Sequence, residues 1–94
     1  ALVKKSKIDY KYNEDKILSE LKQYIDSTYD KHYSHNKFQA TEFVIDSGHG
    51  EGFCIGNILK YAQRYGRKNG KDRNDLLKVV HYGMIALYIN DMEK

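Results

Sequence analysis

The stretch DRNDLLKVVHYGMIALYINDM, residues 72–92, decides the fold. Asp72 or Asn74 can cap a helix, and the chain then continues at helical spacing to about Met92. Its apolar residues fall nearly all round: Leu76, Leu77, Val79, Val80, Tyr82, Met84, Ile85, Leu87, Tyr88 and Ile89. A helix without a polar face is either central in its fold or covered by another subunit. A chain of 94 residues has little material with which to surround it. A homo-oligomer is therefore expected, with Leu76, Leu77, Val80, Met84, Leu87 and Tyr88 as one broad stripe and Val79, Ile85 and Ile89 extending apolar surface onto other sides.

Upstream, Arg67 to Arg73 reads as a basic turn around Gly70. Before it, a helix is expected from the glycine-rich joint Gly48–Gly52 to about Gly66. Its apolar stripe is Ile55, Ile58, Leu59, Ala62 and Tyr65, and its opposite face is Asn57, Lys60, Tyr61, Arg64 and Lys68. A short helix opens at Thr41 and runs through Phe43, Val44 and Ile45. Residues 29–39, polar and aromatic, read as a loop. Asn13, followed by Glu14 and Asp15, can open a first helix to about residue 28, with Ile17, Leu18, Leu21, Tyr24 and Ile25 at helical spacing. The expected fold is all-α: three longer helices and one short helix in a single domain, 13–94, behind a basic flexible tail, 1–12.

The composition agrees with a folded domain: 40% of residues are hydrophobic and 31% charged. Proline is absent, and nine of the aromatic residues are tyrosine. A lone cysteine, Cys54, excludes an internal disulfide and a cysteine-rich zinc site, and it reads as a small buried residue. No signal-peptide pattern is seen, and the longest apolar run, Met84 to Ile89, is far short of a bilayer span. A cytoplasmic location and no membrane partner are expected.

Net charge is only +3, but it is unevenly spread. Residues 53–74 carry Lys60, Arg64, Arg67, Lys68, Lys71 and Arg73 against Asp72 alone, whereas residues 13–30 are acidic. Such a segment suits a local anionic ligand or an acidic partner. With no helix-turn-helix pattern, nucleic acid is not the expected ligand. Gly66 to Asp72 fails as a P-loop: the spacing is one residue short, and Asp72 stands where Ser or Thr should bind magnesium. The histidines, His32, His35, His49 and His81, form no recognised metal-ligand set, and His81 reads as a hydrogen-bonded core residue. The best functional signal is the polar face of the third helix. Lys60 and Arg64, at i and i+4, can reach one anionic group. Asn57 can hydrogen-bond a base or sugar, and Tyr61 can stack on a base or donate its hydroxyl.

The run Phe53-Cys54-Ile55-Gly56-Asn57-Ile58-Leu59-Lys60-Tyr61-Ala62-Gln63-Arg64 resembles the pattern Phe, then Gly-Asn-x-x-Lys-Tyr-x-x-Arg, of a small bacteriophage domain family. That family includes stand-alone SaV-like proteins and the non-Walker nucleotide kinase of T-odd coliphages. The His32-Tyr33 pair, Glu42, Asp75-Leu76-Leu77-Lys78 and Tyr82 match its other segments, so the resemblance covers about residues 32–90. It implies a phage protein of nucleotide metabolism that acts in the host-cell cytoplasm. Such a protein binds a deoxynucleoside monophosphate and phosphorylates it if catalysis is retained. The implied ligand residues are His32, Tyr33, Asn57, Lys60, Tyr61, Arg64 and Arg67. Glu42 and Asp75 would act as metal holder or proton acceptor, with Mg2+ accompanying the nucleotide and no resident metal otherwise. The alternative is a non-catalytic host-takeover or anti-defence protein that sequesters a nucleotide or binds a host protein.

Overall fold

The computed structural model describes the backbone of residues 8–32 and 36–93, and their side chains except those of 31, 32 and 36–39. Helix α1 spans Glu14–His32, α2 Asn36–Val44, α3 Gly50–Arg64 and α4 Arg73–Met92, with a single π turn at Ile45–His49 between α2 and α3. No strand occurs among the described residues. The fold is all-α, as expected. Residues 8–13 precede the first helix with only a turn at 11–12, and the rest of the expected tail lies outside the described residues.

Helices α3 and α4 form an antiparallel hairpin. Tyr61 lies on Tyr82, Arg64 on Asp75, and Gly50 opposite Ile89. The turn between them is closed by the Gly66 N–H donating to the Gly70 carbonyl at 2.8 Å. Both glycines have positive φ, +85° and +66°, a conformation that other residues adopt at a cost. Asp72 is the cap of α4: its carboxylate accepts from the Asn74 N–H at 2.9 Å. Helix α1 runs parallel to α4, with Glu20 accepting from Arg73 Nε at 2.7 Å and the Tyr24 ring edge-on to His81. Burial is scant. Leu21, Cys54, Leu77 and Ile89 are the buried apolar side chains among the described residues.

Four details differ from the expectation. Helix α1 continues past Ser27 and Thr28 because their hydroxyls donate to the Tyr24 and Ile25 carbonyls of the same helix, at 2.6 and 2.7 Å, and do not compete with it. Helix α2 begins at Asn36, not at Thr41, since no proline or glycine lies between 36 and 47. In the glycine-rich joint only Gly48, at φ +90°, is a kink, and Gly50 and Gly52 lie inside α3. Finally, Leu77 and Ile89 of α4 are buried and Val79 and Ile85 half-buried, so Ile89 is not outward surface. Leu76, Val80, Met84, Leu87 and Tyr88 are the ones left exposed.

Gly50 is closely packed against Ile89 of α4 and Ile45 of the π turn. A Cβ there would lie 2.8 Å from Ile89 Cδ1 and 3.2 Å from the Ile45 Cα, whereas a Cβ at Gly52 meets nothing within 4 Å. Gly50→Ala should therefore lower stability by about 1 kcal/mol or more through overpacking. Gly52→Ala should raise it by up to about 1 kcal/mol through helix propensity. Paired urea melts of the two variants check both signs.

Candidate functional site

The polar face of α3 is turned only in part to solvent, through the exposed Lys60. Asn57, Tyr61 and Arg64 are half-buried against α4, while Ile55, Leu59 and Ala62, expected to face the core, are exposed. The reason lies on α4, which offers this side of the hairpin a carboxylate and an aromatic ring. Asp75, 1% exposed, sits in the first turn of α4, where the helix dipole favours its charge. Arg64 Nε approaches Asp75 Oδ1 at 3.6 Å, an ion pair too long to be a hydrogen bond. Arg64 Nε and Asp75 Oδ2 have no hydrogen-bond partner among the described residues.

One turn back along α3, Tyr61 stacks on Tyr82 with ring centroids 6.0 Å apart and planes 9° from parallel. Phe53 meets Tyr82 edge-on. Three cations then converge on the Tyr61 ring: Lys78 Nζ at 4.9 Å, Lys60 Nζ at 5.1 Å and Arg64 Cζ at 5.8 Å from its centroid. The ring's quadrupole attracts each of them. Arg64 has Asp75 opposite, but neither lysine has a carboxylate partner among the described residues. Two like charges are thus held near one ring without a counter-ion, an arrangement that an incoming anion stabilises.

Around this cluster the environment is aromatic. Burial pushes the Tyr24 and Tyr82 hydroxyls upward, with the nearby Tyr61 adding to it, so both stay protonated donors. Burial pulls His81 below the ordinary imidazole range. It lies edge-on to Tyr24 at 6.0 Å and tilted to Tyr82 at 6.4 Å. Among the described residues His81 makes these ring contacts and not the expected hydrogen bond. Cys54 is buried, and burial pushes its thiol up, which suits packing and not nucleophilic attack.

The structure brings Lys60, Tyr61 and Arg64 together, as their spacing suggested. Asn57 lies alongside, but its amide donates to the Phe53 carbonyl of the same helix at 2.9 Å. Arg67 lies in the exposed turn beyond α3, where its backbone N–H donates to the Arg64 carbonyl. Glu42 is exposed on α2 and makes no hydrogen bond or ion pair with any described residue. Asp75 is enclosed and ion-paired with Arg64. Among the described residues no group of three His, Cys, Asp or Glu could hold a metal ion. His32 closes α1, while its side chain and all of Tyr33 lie outside the described residues. Lys78, Tyr82 and Tyr24 belong to the cluster and were not singled out as site residues. For Lys78 a signal existed: it is the one lysine or arginine between Leu76 and Asn90 in a helix otherwise apolar nearly all round.

Residues 27–83 match the model of DUF3310, described as a protein family of unknown function. The chain belongs to this family. The matched segment contains every residue of the cation cluster and its aromatic surround except Tyr24. Neither a curated protein nor a solved structure matches the chain significantly. No helix among the described residues is long and apolar enough to cross a membrane.

Two outcomes follow from the geometry. Arg64→Ala strands the buried Asp75 carboxylate and should cost about 3 kcal/mol in a denaturant melt. The His81 effect has a definite sign. A histidine held neutral by burial stabilises the fold fully above its unfolded pKa, near 6.5, and that contribution is lost as pH falls through the lower folded value. His81→Gln should flatten the acid side of the stability–pH curve relative to wild type.

Proposed function

We propose that this DUF3310 protein binds a phosphate-bearing nucleotide at the α3–α4 cation cluster, with a deoxynucleoside monophosphate as the leading candidate. The observation that supports it is the convergence of Lys60, Lys78 and Arg64 on Tyr61 with a single carboxylate among them. A phosphate group offers several acceptor oxygens to such a cluster, and charge-assisted hydrogen bonds are the stronger kind. Tyr61 has one face against Tyr82, so its part is to hold the lysines and not to provide an open base-stacking platform. The resemblance to the phage nucleotide-handling domain supplies the nucleotide.

Phosphoryl transfer is the narrower form of this reading and draws on the resemblance alone. A non-catalytic protein that sequesters a nucleotide, as in host takeover or defence evasion, is favoured by one observation. The carboxylate nearest the cluster, Asp75, is buried in an ion pair and is not poised as a base. Binding of a host protein remains an outcome that the same measurements would reveal.

Lys60→Ala and Lys78→Ala should each weaken nucleotide binding by roughly 10-fold, the effect of removing one charge-assisted hydrogen bond. Helix content should not change. Binding should also weaken with added salt. Calorimetry with deoxynucleoside monophosphates, ATP and inorganic phosphate separates a nucleotide site from a plain phosphate site. Absence of heat with all three would overturn the reading. Transfer of the γ-phosphoryl group from ATP to the monophosphate would decide between enzyme and sequestering protein.

A further inference from the structure

The α3–α4 hairpin has two broad sides. Helix α1 packs beside α4 on the side that carries the cation cluster, through Tyr24 on His81 and Glu20 on Arg73, and leaves Lys60 exposed. The other side is a groove between the two helices, lined by Glu51, Ile55, Gly83, Ala86, Leu87 and Glu93. Ile55 is 47% and Leu87 66% exposed, and Leu59, at 64%, continues the α3 edge one turn on from Ile55. On α4, Leu76, Val80 and Leu87 fall within about 40° of one another around the helix axis, so the groove runs into an exposed apolar stripe. Contiguous apolar surface of this kind marks an interaction site.

Charge specifies what covers it. The groove is acidic at one end, where Glu51 of α3 and Glu93 at the end of α4 line it together. The opposite end of the hairpin is the basic turn, where Lys68 and Lys71 are exposed. Helix α4 has 20 residues, so the two ends are about 30 Å apart. That is several Debye lengths at physiological salt, too far for them to neutralise each other within one copy. A second copy turned end for end sets each acidic end against the other's basic turn, twice, around one two-fold axis near the middle of α4. Gly83 sits there. A Cβ at Gly83 would meet nothing within 4 Å inside the chain, yet glycine is a poor helix former in a helix interior. Open space at a helix glycine in an apolar groove is what close approach of another backbone requires.

We infer that two copies of this chain pair antiparallel through the Ile55–Leu87 face of the α3–α4 hairpin, making a four-helix layer that leaves both cation clusters on the outside. The interface is isologous, so each contact occurs twice. It is independent of nucleotide binding, because the cluster lies on the opposite side of the hairpin.

Light scattering across a concentration series should give twice the 11.0 kDa chain mass for wild type. Leu87→Glu buries a charge in each copy and should raise the dissociation constant by roughly 30-fold or more. Circular dichroism confirms that the variant remains helical. Glu93→Lys sets like charges together and should weaken pairing without touching the apolar surface. Adding Lys71→Glu to the same chain should restore it, since the two positions meet only across an antiparallel pair. A monomer at every concentration overturns the inference, whether the groove is then covered by another protein or by nothing. So does a dimer indifferent to both single variants, and failure of the double charge reversal to restore pairing refutes the antiparallel arrangement.

Discussion

The buried ion pair between Arg64 and Asp75 fixes how α3 is rotated against α4. Both groups sit next to the basic turn, one at the last residue of α3 and the other in the first turn of α4. Asp75 is almost wholly enclosed. A carboxylate in that position requires a cation, and among the described residues Arg64 is the one within salt-bridge distance. Once Arg64 turns inward, helical periodicity carries Tyr61, Asn57 and Cys54 inward with it, because they lie three, seven and ten residues away on the same face. The same rotation sends Ile55 and Leu59 outward. A handful of polar contacts thus overrides the choice that apolar content alone would make. Stranding either charge costs about 3–5 kcal/mol, comparable with exposing two aliphatic side chains at roughly 1.5–3 kcal/mol each, and the Tyr61–Tyr82 stack adds to the polar side of the balance.

That rotation also builds the cation cluster. Tyr61 reaches Tyr82 only because α3 presents its polar face to α4, and the ring so positioned gathers Lys60 from its own helix and Lys78 from the facing one. Neither helix alone makes the site. The segment that matches the family, 27–83, carries both halves of it together with the turn that joins them.

How much of this could be read from the sequence depends on which interactions are local. Helix α4 was plain, because Asp72 caps it and nothing interrupts the run to Met92. Lys60, Tyr61 and Arg64 were readable as a group, because i and i+4 spacing is a property of one helix. Lys78 was not, because its relation to Tyr61 exists only across the hairpin. Residues 29–32 and 36–39, expected in a loop, are helical: their polar, aromatic composition looked loop-like, yet they hold no proline or glycine to end a helix. The facing of α3 was misread for a different reason. Periodicity separates an apolar from a polar face, but it does not say which of the two a partner helix will take when that helix carries a charge of its own.

Exposure of the apolar edge of α3 and α4 is then a consequence of the site and not an independent accident. A monomer that buried Ile55, Leu59 and Leu87 would have to rotate α3 away from Asp75 and disperse the lysines around Tyr61. Covering the same side chains with a second copy removes that conflict, because the polar face stays inside each hairpin and the apolar face is buried between hairpins. The small buried core of the single chain fits this division. Pairing of the inferred kind would let the cation cluster keep its geometry, with burial of the remaining apolar surface supplied from outside the chain.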